Sequence, residues 1–483
     1  MGDTVDLRGW YRQLTTPILD GNNPDSARPI STDYPPAYTP SVDSRIMYVD
    51  ATLGNDGTGA FTDVATQPTP FEPDGNELPY ATVAAAMANV RSGYPDWVLL
   101  KRGETWTGTS DISIVSGRSP SEPYLVGCYG SAGARPILET GANRAINRVD
   151  NTDNYVVLFG LDFYAHTRDP NNPSFNPTLT DNIGLRWLGG GDTITIDDCV
   201  MRYYRQNITI EPYNGKSFSN FLLKNNIIMW AYGTGALGYG VGAFVSGTSG
   251  GFKAKSNVFY HNGWNDLITG ATKSQYQHNI YIQTNNDPTG IEFSDNVSLD
   301  ASAYGVHFRA GGQCYNNLIS GCAIGLGVAF LGTPLGSGVT ADIANNVVLQ
   351  GTNMDPLNVN TATSQAVWGI NVAPDAQDSG GTVLVTDNIV ANRFDTGSIS
   401  SINDSVNGTF TGNTIYEWEA AKDMTDVSWP HPEALIADYM GSIGETATHQ
   451  AYVDAVTSRG VGVPHGVYSS TAVNNYLRGG FNL

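Results

Sequence analysis

The segment Ala344–Leu349 reads ANNVVL, an asparagine followed at once by a short apolar run. The same arrangement recurs along the chain as DDCVM, KNNIIMW, KSNVFY, SDNVSL, YNNLIS, TDNIVA and TGNTIY. Its key positions are Asp198, Asn226, Asn257, Asn296, Asn317, Asn346, Asn388 and Asn413. Successive intervals are 28, 31, 39, 21, 29, 42 and 25 residues. We take 21 residues as the bare repeat and the longer intervals as the same repeat with inserted loops.

This repeat predicts a solenoid of stacked β-strands rather than α/β units. Its units are short apolar strands separated by glycine, asparagine and aspartate, with no helical spacing between them. Asparagines at one equivalent turn are expected to form a ladder in which each amide hydrogen-bonds the next. Insertions into a repeat map to loops, often on the binding face. We therefore expect the loops Tyr260–Gln277 and Gly351–Ala366 to rise beside one groove.

The beginning of the repeat region is similar to that of a known family. It contains YVDATLGNDGTGAF (Tyr48–Phe61), PYATVAAAMANVRSG (Pro79–Gly93) and DWVLLKRGETW (Asp96–Trp106). Together with the asparagine repeat, these segments resemble the right-handed parallel β-helix proteins of the pectate-lyase-like superfamily. The resemblance implies an all-β solenoid. It implies no single activity, because the superfamily contains lyases, hydrolases, epimerases and non-catalytic spikes.

The chain divides into a solenoid and two flanks. We assign residues 46–417 to the parallel β-helix, residues 1–45 to an extended N-terminal arm or anchor, and residues 418–483 to a C-terminal helical tail that packs on the solenoid. The spacing in Tyr80–Val90 predicts an N-terminal capping helix. A cap is needed because an open solenoid end exposes its apolar interior and a strand edge.

Charge and hydropathy exclude two classes of partner. The chain has 46 acidic and 25 basic residues, a net charge of −21 at pH 7, so no basic field for nucleic acid is expected. The longest apolar stretch, Ile324–Leu331, is too short for membrane insertion. The segment MGDTVDLRGWYRQL has no apolar signal core. These features predict a virion protein, or an extracellular protein whose signal was removed.

The sequence requires neither a disulfide nor a cofactor. The four cysteines lie in apolar stretches without metal-ligand spacing, which predicts buried free thiols, with disulfides as the alternative. They are Cys128, Cys199, Cys314 and Cys322. The segment VDATLGNDG places the oxygens of Asp50, Asn55 and Asp56 either to bind Ca²⁺ or only to shape a turn. Ca²⁺ is therefore the one candidate ion.

Alternation in the repeat strands sorts side chains between the inside and the outside of the solenoid. In YGVHFRAGG (Tyr304–Gly312), Val306 and Phe308 share one parity, and His307 and Arg309 share the other. We place the apolar pair inside and the polar pair outside. The same rule points inward Ile183, Leu185, Ile208, Ile210, Ile280, Ile282, Ile324, Leu326, Val328, Ile370 and Val372. It points outward Arg186, Asn207, Thr209, Glu211, Asn279, Tyr281, Gln283 and Asn371.

Stacking places these outward residues side by side, about 4.8 Å apart from coil to coil. Tyr281 and Gln283 are expected next to His307 and Arg309. The segments GYGVGAF before them and AIGLGVAF after them predict a bare glycine surface on either side. A polar and aromatic centre between two smooth regions suits a chain-like ligand such as a polysaccharide.

The loop before this centre brings further groups to the same edge. It reads YHNGWNDLITGATKSQYQH (Tyr260–His278). Trp264 is expected to stack on a sugar ring or to act as a lid, and His278 to bind substrate or to form a bend. The candidate substrate-binding residues are Arg186, Glu211, Trp264, Asp266, Lys273, His278, Asn279, Gln283 and Asn371. HNGWND, QHNIYIQ and GVHFRAGG resemble a bacterial and phage subgroup of the superfamily, which implies polysaccharide processing.

Two chemistries are open to this centre. β-Elimination on a uronic acid needs a base for the C5 proton, a cation for the carboxylate and an acid for the leaving oxygen. His307, Arg309 and Tyr281 fit these catalytic roles in that order. Hydrolysis needs two carboxyl groups, for which Glu211 and Asp266 are the available pair. The composition of the site favours elimination.

Binding without cleavage is an alternative from another class of protein. Resemblance to phage tailspikes implies a homotrimer that holds a capsular polysaccharide and joins other virion proteins through the N-terminal arm. We expect a spike-type protein that binds an extracellular polysaccharide and depolymerises it by β-elimination. The alternatives are a non-catalytic receptor-binding spike and a secreted polysaccharide lyase or glycoside hydrolase.

Overall fold

The fold is described from a computed structural model of the chain. The structure describes residues 38–483 except 68, 110–111, 179–181, 235–238, 355–365, 396–397, 404–406, 419–434 and 482. Most of the predicted N-terminal arm and the beginning of the predicted tail therefore lie outside the described residues. In the described part, strands predominate and helices are few.

The described strands are short and numerous. In chain order they are β1 (Arg45–Val49), β2 (Thr62–Asp63), β3 (Trp97–Lys101), β4 (Thr105–Thr107), β5 (Tyr124–Tyr129), β6 (Ile137–Glu139), β7 (Ile146–Phe159), β8 (Asp162–Tyr164), β9 (Ile183–Asp197), β10 (Val200–Arg202), β11 (Gln206–Pro212), β12 (Phe218–Lys224), β13 (Ile227–Met229), β14 (Val241–Val245), β15 (Thr248–Lys255), β16 (Val258–Tyr260), β17 (His278–Ile282), β18 (Glu292–Ser294), β19 (Val297–Leu299), β20 (Tyr304–Phe308), β21 (Gly312–Tyr315), β22 (Leu318–Ser320), β23 (Ile324–Val328), β24 (Thr340–Ala344), β25 (Val347–Leu349), β26 (Ala366–Val372), β27 (Thr382–Thr386), β28 (Ile389–Ala391), β29 (Ser398–Ile402), β30 (Thr409–Thr411) and β31 (Thr414–Tyr416).

Apart from β2, which pairs antiparallel with β1, these strands form three parallel stacks that the chain visits in turn. Sheet 1 contains β11, β14, β17, β20, β23, β26 and β29, and sheet 2 contains β12, β15, β18, β21, β24, β27 and β30. The long strand β9 pairs with both β11 and β12, so it belongs to both stacks, and β7 pairs with β9 in the preceding coil. Sheet 3 contains β4, β6, β8, β10, β13, β16, β19, β22, β25, β28 and β31. Each strand pairs in parallel with the equivalent strand of the next coil, so the chain is a parallel β-helix, as predicted.

Seven asparagines form the predicted ladder at the turn between sheets 2 and 3. In the first six, Nδ2 donates to the Oδ1 of the asparagine in the next coil over 2.8–3.0 Å. The same Oδ1 accepts the backbone N–H of the preceding asparagine, so that buried backbone donors are satisfied. The ladder contains Asn226, Asn257, Asn296, Asn317, Asn346, Asn388 and Asn413.

The first position predicted for this ladder, Asp198, is wrong by one residue. Val200 pairs with Ile227, so Cys199 stands in the row of asparagines, and its N–H donates to Oδ1 of Asn226 at 2.9 Å. Asp198 belongs to the preceding row, which has positive φ. That row contains Asp198, Asn225, Ser256, Asp295, Asn316, Asn345 and Asp387. Asparagine and aspartate tolerate this conformation, which is why the repeat so often begins with two polar residues.

A bend at the start of each sheet 1 strand breaks the predicted alternation. Asn207 and Asn279 were expected outside, but their side chains lie inside and are fully buried. Nδ2 of Asn279 donates to Oγ of Ser298 at 3.0 Å and to the carbonyl of Leu299 at 2.9 Å. The equivalent Gly305 also faces the interior, where a Cβ would lie 2.7 Å from Cγ2 of Ile319.

The bend has a second consequence for the residues before it. Two successive residues point inward at the bend, so the residue that precedes them points outward. Ile183 and Ile324 were predicted inside, yet they stand in the outward row of paired residues that includes His278. Ile324 packs there with Tyr304 and Met354, outside the main core.

Four α-helices flank the described solenoid: α1 (Val83–Met87), α2 (Ile436–Ser442), α3 (His449–Thr457) and α4 (Ser470–Gly480). α1 follows Thr82, whose hydroxyl accepts the N–H of Ala85 at 3.2 Å, and it is shorter than the segment Tyr80–Val90. The side chains of Val83, Ala86 and Met87 enter the main core.

The three C-terminal helices pack against sheet 3 in a separate apolar cluster. A buried charge network holds the segment after α3. Nη1 of Arg459 and Nη2 of Arg135 contact Oδ1 of Asp198 at 2.8 and 2.6 Å, and the N–H of Gly462 donates to Oδ2 at 2.7 Å. A buried carboxylate thus has two cations and a backbone donor, as its desolvation requires.

Two further sequence expectations can be compared with the described part of the chain. All four cysteines are buried and free, as predicted. Among the described residues, no helix has the length and apolar character to cross a bilayer.

Candidate active site

Two rows of outward side chains run across sheet 1, perpendicular to its strands. Row 1 contains Ile183, Gln206, Val241, His278, Tyr304, Ile324 and Trp368. Row 2 contains Arg186, Thr209, Phe244, Tyr281, His307, Gly327 and Asn371. Gln283 and Arg309 follow two residues after Tyr281 and His307, on the same outer side. Parity in the second half of each strand is therefore as predicted.

An aromatic column stands on these rows. The rings of Phe244 and Tyr281 meet edge to face with their centroids 5.3 Å apart. Tyr281 stacks on His307 at 4.8 Å, with an angle of 11° between the planes. Tyr304 stacks on His307 at 4.1 Å, with an angle of 5°. The imidazole is thus enclosed between two tyrosine rings.

The predicted glycine surface on either side of the centre is wrong. Gly242 and Gly325 face the interior because they occupy the bend. Gly327 does face outward, but the ring of Tyr304 leans over it. A Cβ at Gly327 would lie 2.4 Å from Cε1 of Tyr304. The glycine makes room for this tyrosine rather than for a ligand.

His307 is outward yet buried, with only 4% of the side chain exposed. Neither ring nitrogen has a hydrogen-bond partner among the described residues. Burial lowers its pKa well below the ordinary value, and the charges of His278 and Arg309 act in the same direction. His307 is therefore a neutral imidazole near pH 7.

Arg309 connects the strand to a turn of the next coil. Its Nη1 donates to the hydroxyl of Tyr281, and its Nη2 donates to Oγ1 of Thr333 at 2.6 Å. Its Cζ lies 4.5 Å above the ring of Phe330, which is 45% exposed and has its centroid 6.0 Å from that of His307. Arg309 itself is 9% exposed, and within the described part of the chain it forms no ion pair with a carboxylate. A buried guanidinium normally has such a partner.

His278 opens its strand, as predicted, but its ring lies outside the interior. Its ring meets His307 edge to face at 5.0 Å and Tyr304 at 5.0 Å. Burial lowers the pKa of His278 to about 3; the charge of Arg309 lowers it as well, while a hydrogen bond with the backbone of Gln277 raises it. Burial also raises the pKa of Tyr304 to about 12. His278, His307 and Tyr304 are therefore uncharged at neutral pH.

A cavity of about 540 Å³ lies at the turn from sheet 3 to sheet 1. The described residues that line it are His261, Trp264, Lys273, Asp300, Gly321, Thr352, Asn353 and Asp395. The two predicted loops therefore meet at one cavity, the first through Trp264 and Lys273, the second through Thr352 and Asn353. Residues 355–365 of the second loop lie outside the described residues.

Trp264 is not available as a platform for a sugar. One face of its indole stacks on His261 with centroids 3.9 Å apart, and Nζ of Lys273 lies 4.4 Å over the ring. Its Nε1 donates to the carbonyl of Asp300 at 3.1 Å. An ammonium and an imidazole this close cannot share one face, so both faces are occupied. With these contacts neither face of the indole is open to a sugar ring.

The remaining predicted residues are dispersed around the centre. Asp266 is exposed in the loop, where its charge acts on His261. Glu211 is near Arg186, and burial raises its pKa against the effect of that arginine. The carboxyl groups proposed for hydrolysis therefore belong to different surroundings.

The side chains of Gln283 and Asn371 accept hydrogen bonds from other groups of the chain. Oε1 of Gln283 accepts the N–H of Thr284 at 3.0 Å, and Oδ1 of Asn371 accepts from Nδ2 of Asn403 at 3.3 Å. Asn279 cannot touch a ligand from its place inside the solenoid, so its predicted substrate-binding role is wrong.

The candidate calcium ligands Asp50 and Asp56 accept hydrogen bonds from backbone and side-chain groups of the chain itself. Oδ1 of Asp50 accepts the N–H groups of Thr52 and Leu53, and its Oδ2 accepts from Lys101 at 2.7 Å. Asp56 accepts three hydrogen bonds from Ala81 and Thr82. In the described ranges, no group of three or more histidine, cysteine, aspartate or glutamate side chains is placed to hold a metal ion.

Sequence reasoning missed several residues of the site. Tyr304 occupies the same position in its strand as His278, and the two residues pair in adjacent coils. Recognition of the bend that turns this position outward would have identified both. Phe330, Thr333 and Asp395 belong to irregular turns whose sequence carries no periodic signal. Their proximity follows only from the stacking of coils.

Comparison with known proteins shows a likeness of fold. No family model and no curated protein matches the chain. Among solved structures, the pectate lyase Pel9A matches with a TM-score of 0.39 and 14% identity over 81% of this chain and 94% of that one. A rhamnogalacturonan lyase matches with a TM-score of 0.37 and 12% identity over 77% and 87% of the two chains. An alginate lyase from Paenibacillus sp. str. FPU-7 matches with a TM-score of 0.35 and 16% identity over 69% and 97%. The chain is a parallel β-helix protein similar to these structures in fold alone.

Proposed function

We propose that the chain binds a uronate-containing polysaccharide across sheet 1 and cleaves it by β-elimination. The observation that carries this proposal is the contact of Arg309 with Tyr281 beside the neutral imidazole of His307. Within the described residues Arg309 has no carboxylate partner, although the protein carries 46 acidic residues. A substrate carboxylate would supply the missing partner.

The three side chains would divide the reaction among them. Arg309 would neutralise the uronate carboxylate, which makes the C5 proton easier to remove. His307 would accept that proton, since a neutral imidazole is the form that can do so. The hydroxyl of Tyr281, held by Arg309 on the partly exposed side of the column, would protonate the leaving oxygen.

Whether the chain cleaves the polysaccharide or only binds it depends on whether a substrate can reach His307. Both of its nitrogens are buried, so the base role requires that Phe330 and its turn move away from the imidazole. The same burial favours the second candidate, a spike that binds polysaccharide without cutting it. We do not propose hydrolysis, because Glu211 and Asp266 lie in different surroundings.

We extend the proposal to the flanks and the assembly. α1 is proposed to cap the first coil, because its apolar residues enter the main core. The helices α2 to α4 are proposed to form a tail that shields sheet 3. We further propose a virion or extracellular homotrimer, attached to other virion proteins through residues 1–45. Ca²⁺ is not required in this proposal.

Incubation with a panel of bacterial capsules and uronate polymers tests the proposed reaction. Two signals are followed, the ultraviolet absorbance of an unsaturated uronate and the number of new reducing ends. We expect both to increase with at least one polymer. Reducing ends without absorbance would replace elimination by hydrolysis. Binding of a polymer without either signal would leave the non-catalytic spike.

A further inference from the structure

We infer that the cavity between sheets 3 and 1 binds neutral sugar units of the same polysaccharide, so that the substrate is a heteropolymer of uronates and neutral sugars. This inference rests on the proposed function, because it extends the ligand from Arg309 into the cavity. It assigns a ligand to Asp300 and Asp395, which have no role in the proposed elimination.

The dimensions of the cavity fit an oligosaccharide segment. Its lining comes from five successive coils: His261 follows β16, Asp300 follows β19, Gly321 follows β22, Thr352 follows β25, and Asp395 follows β28. Coils stack about 4.8 Å apart, so the distance from the first to the fifth coil is about 19 Å. A cavity of about 540 Å³ with this length has room for more than one sugar ring.

The charge of the cavity is opposite to that around Arg309. The carboxylates of Asp300 and Asp395 both line the cavity, in coils three apart, and the ammonium of Lys273 is held over Trp264. A uronate in this cavity would add another carboxylate near two existing ones. A neutral sugar instead offers hydroxyl donors, which carboxylates accept well.

Both carboxylates are fixed in place. Oδ2 of Asp395 accepts the backbone N–H of Asn353 at 2.9 Å. Asp300 lies directly over Gly321, where a Cβ would be 2.0 Å from its Oδ1, and the φ of +70° at Gly321 also favours glycine. Oδ2 of Asp300 lies 3.4 Å from Nε2 of His449 in α3. The carboxylates are therefore preorganised acceptors rather than mobile surface groups.

The cavity adjoins the aromatic column. Thr352 and Asn353 line the cavity, while the next residue, Met354, packs in the outer apolar cluster with Tyr304. The ring of Tyr304 stacks on His307 at 4.1 Å. Neighbouring residues thus join the cavity to the column, and the inferred ligand extends over both.

The test compares the binding of two polymers, followed by affinity electrophoresis. The probes are polygalacturonate, a pure polyuronate, and a capsular polysaccharide of alternating glucuronate and glucose. We expect the parent protein to bind the alternating polymer more tightly. Asp300→Asn combined with Asp395→Asn should reduce or invert this preference by about 3- to 10-fold, since the repulsion of a uronate is removed while cavity size is kept.

Asp378→Asn, at an exposed position, is the matched control and should keep the parent's preference. The melting temperature of each variant is measured. If the double variant does not fold, Asp395→Asn alone is compared with the parent. Three results would overturn the inference. The parent could bind polygalacturonate as tightly as the alternating polymer or more tightly, or it could bind neither polymer. A folded double variant could also keep the parent's preference. Arg309→Gln should weaken both polymers, and if it weakens neither, the proposed site fails while the preference assigned to the cavity can still be measured.

Discussion

His307 shows how stacking between coils changes the chemistry of an outward side chain. Alternation in two strands was enough to place Tyr281, His307 and Arg309 together on the outer face. It could not show that the imidazole is enclosed, because the covering rings of Tyr304 and Phe330 reach it from a bend and from an irregular turn. Local periodicity predicts direction, whereas burial depends on neighbouring coils.

His307→Phe separates a catalytic imidazole from a packing residue. Phenylalanine keeps a flat ring between the two tyrosines and removes both nitrogens. If His307 is the base, turnover should fall by about 10²–10⁴-fold with binding largely kept. The rate of unsaturated-uronate formation and polymer affinity are measured together, with exposed Tyr213→Phe as a control for a conservative ring change. A variant that cuts like the parent would reduce His307 to a packing role.

His261 should make the protein less stable in acid. Burial lowers its pKa to about 4, from an ordinary value of 6.5. The folded state therefore binds fewer protons than the unfolded state between these values. The stabilisation is fully present above about pH 6.5 and is lost as the pH falls towards 4. Its upper limit is about 3 kcal/mol, from 1.4 kcal/mol per pH unit.

His261→Phe keeps the ring between Trp230 and Trp264 but cannot titrate. Denaturant unfolding of parent and variant at pH 7 and pH 4.5 measures the difference. The variant should lose less stability on acidification. Equal losses would show that His261 titrates normally.

The turn between sheets 2 and 3 shows how a repeat encodes an element. The recurrence of asparagine identified the ladder because the interior of this turn accepts one side chain that can bond to both neighbouring coils. It misplaced Asp198, since the preceding left-handed row also favours aspartate and asparagine. The bend of sheet 1 carried no such regular signal: glycine at Gly242 and Gly305 alternates there with Asn207 and Asn279.

Asn317→Ala should destabilise the solenoid by about 2–4 kcal/mol. The substitution removes the acceptor for both the N–H and the amide of Asn296, and it removes the donor to Asn346 and Phe293. Buried groups that lose their partners cost about 1–3 kcal/mol each, partly offset by relaxation. Denaturant unfolding compares this variant with Asn407→Ala, an exposed control. Equal midpoints would mean that the ladder contributes little.

At the scale of the whole molecule, contacts between distant segments determine features that the repeat does not predict. Composition and repeat spacing were sufficient for a parallel β-helix. The cavity and the docking of the C-terminal helices depend on residues far apart in sequence. Arg135, for example, donates to the carbonyl of Arg459, 324 residues away. Neither residue belongs to a pattern that periodicity reveals.

Arg459→Ala should weaken the attachment of the C-terminal helices to the solenoid. It leaves Asp198 buried with one arginine instead of two, and removal of one partner from a buried ion pair costs about 3–5 kcal/mol. The melting temperature and the rate of proteolysis between α2 and α4 are measured. Arg118→Ala, in an exposed ion pair, should change neither. An unaltered Arg459→Ala protein would show that the apolar cluster alone holds these helices.

The most direct test of catalysis at sheet 1 is the rate of unsaturated-uronate formation by Arg309→Gln on a polymer that the parent cleaves. Glutamine keeps a hydrogen-bonding side chain but removes the charge that a substrate carboxylate would meet. We predict a fall in kcat/KM of about 10²-fold or more, since a cation lost from the transition state costs several kcal/mol. Arg118→Gln should retain the parent's rate. An Arg309→Gln protein as active as the parent would contradict catalysis at this site.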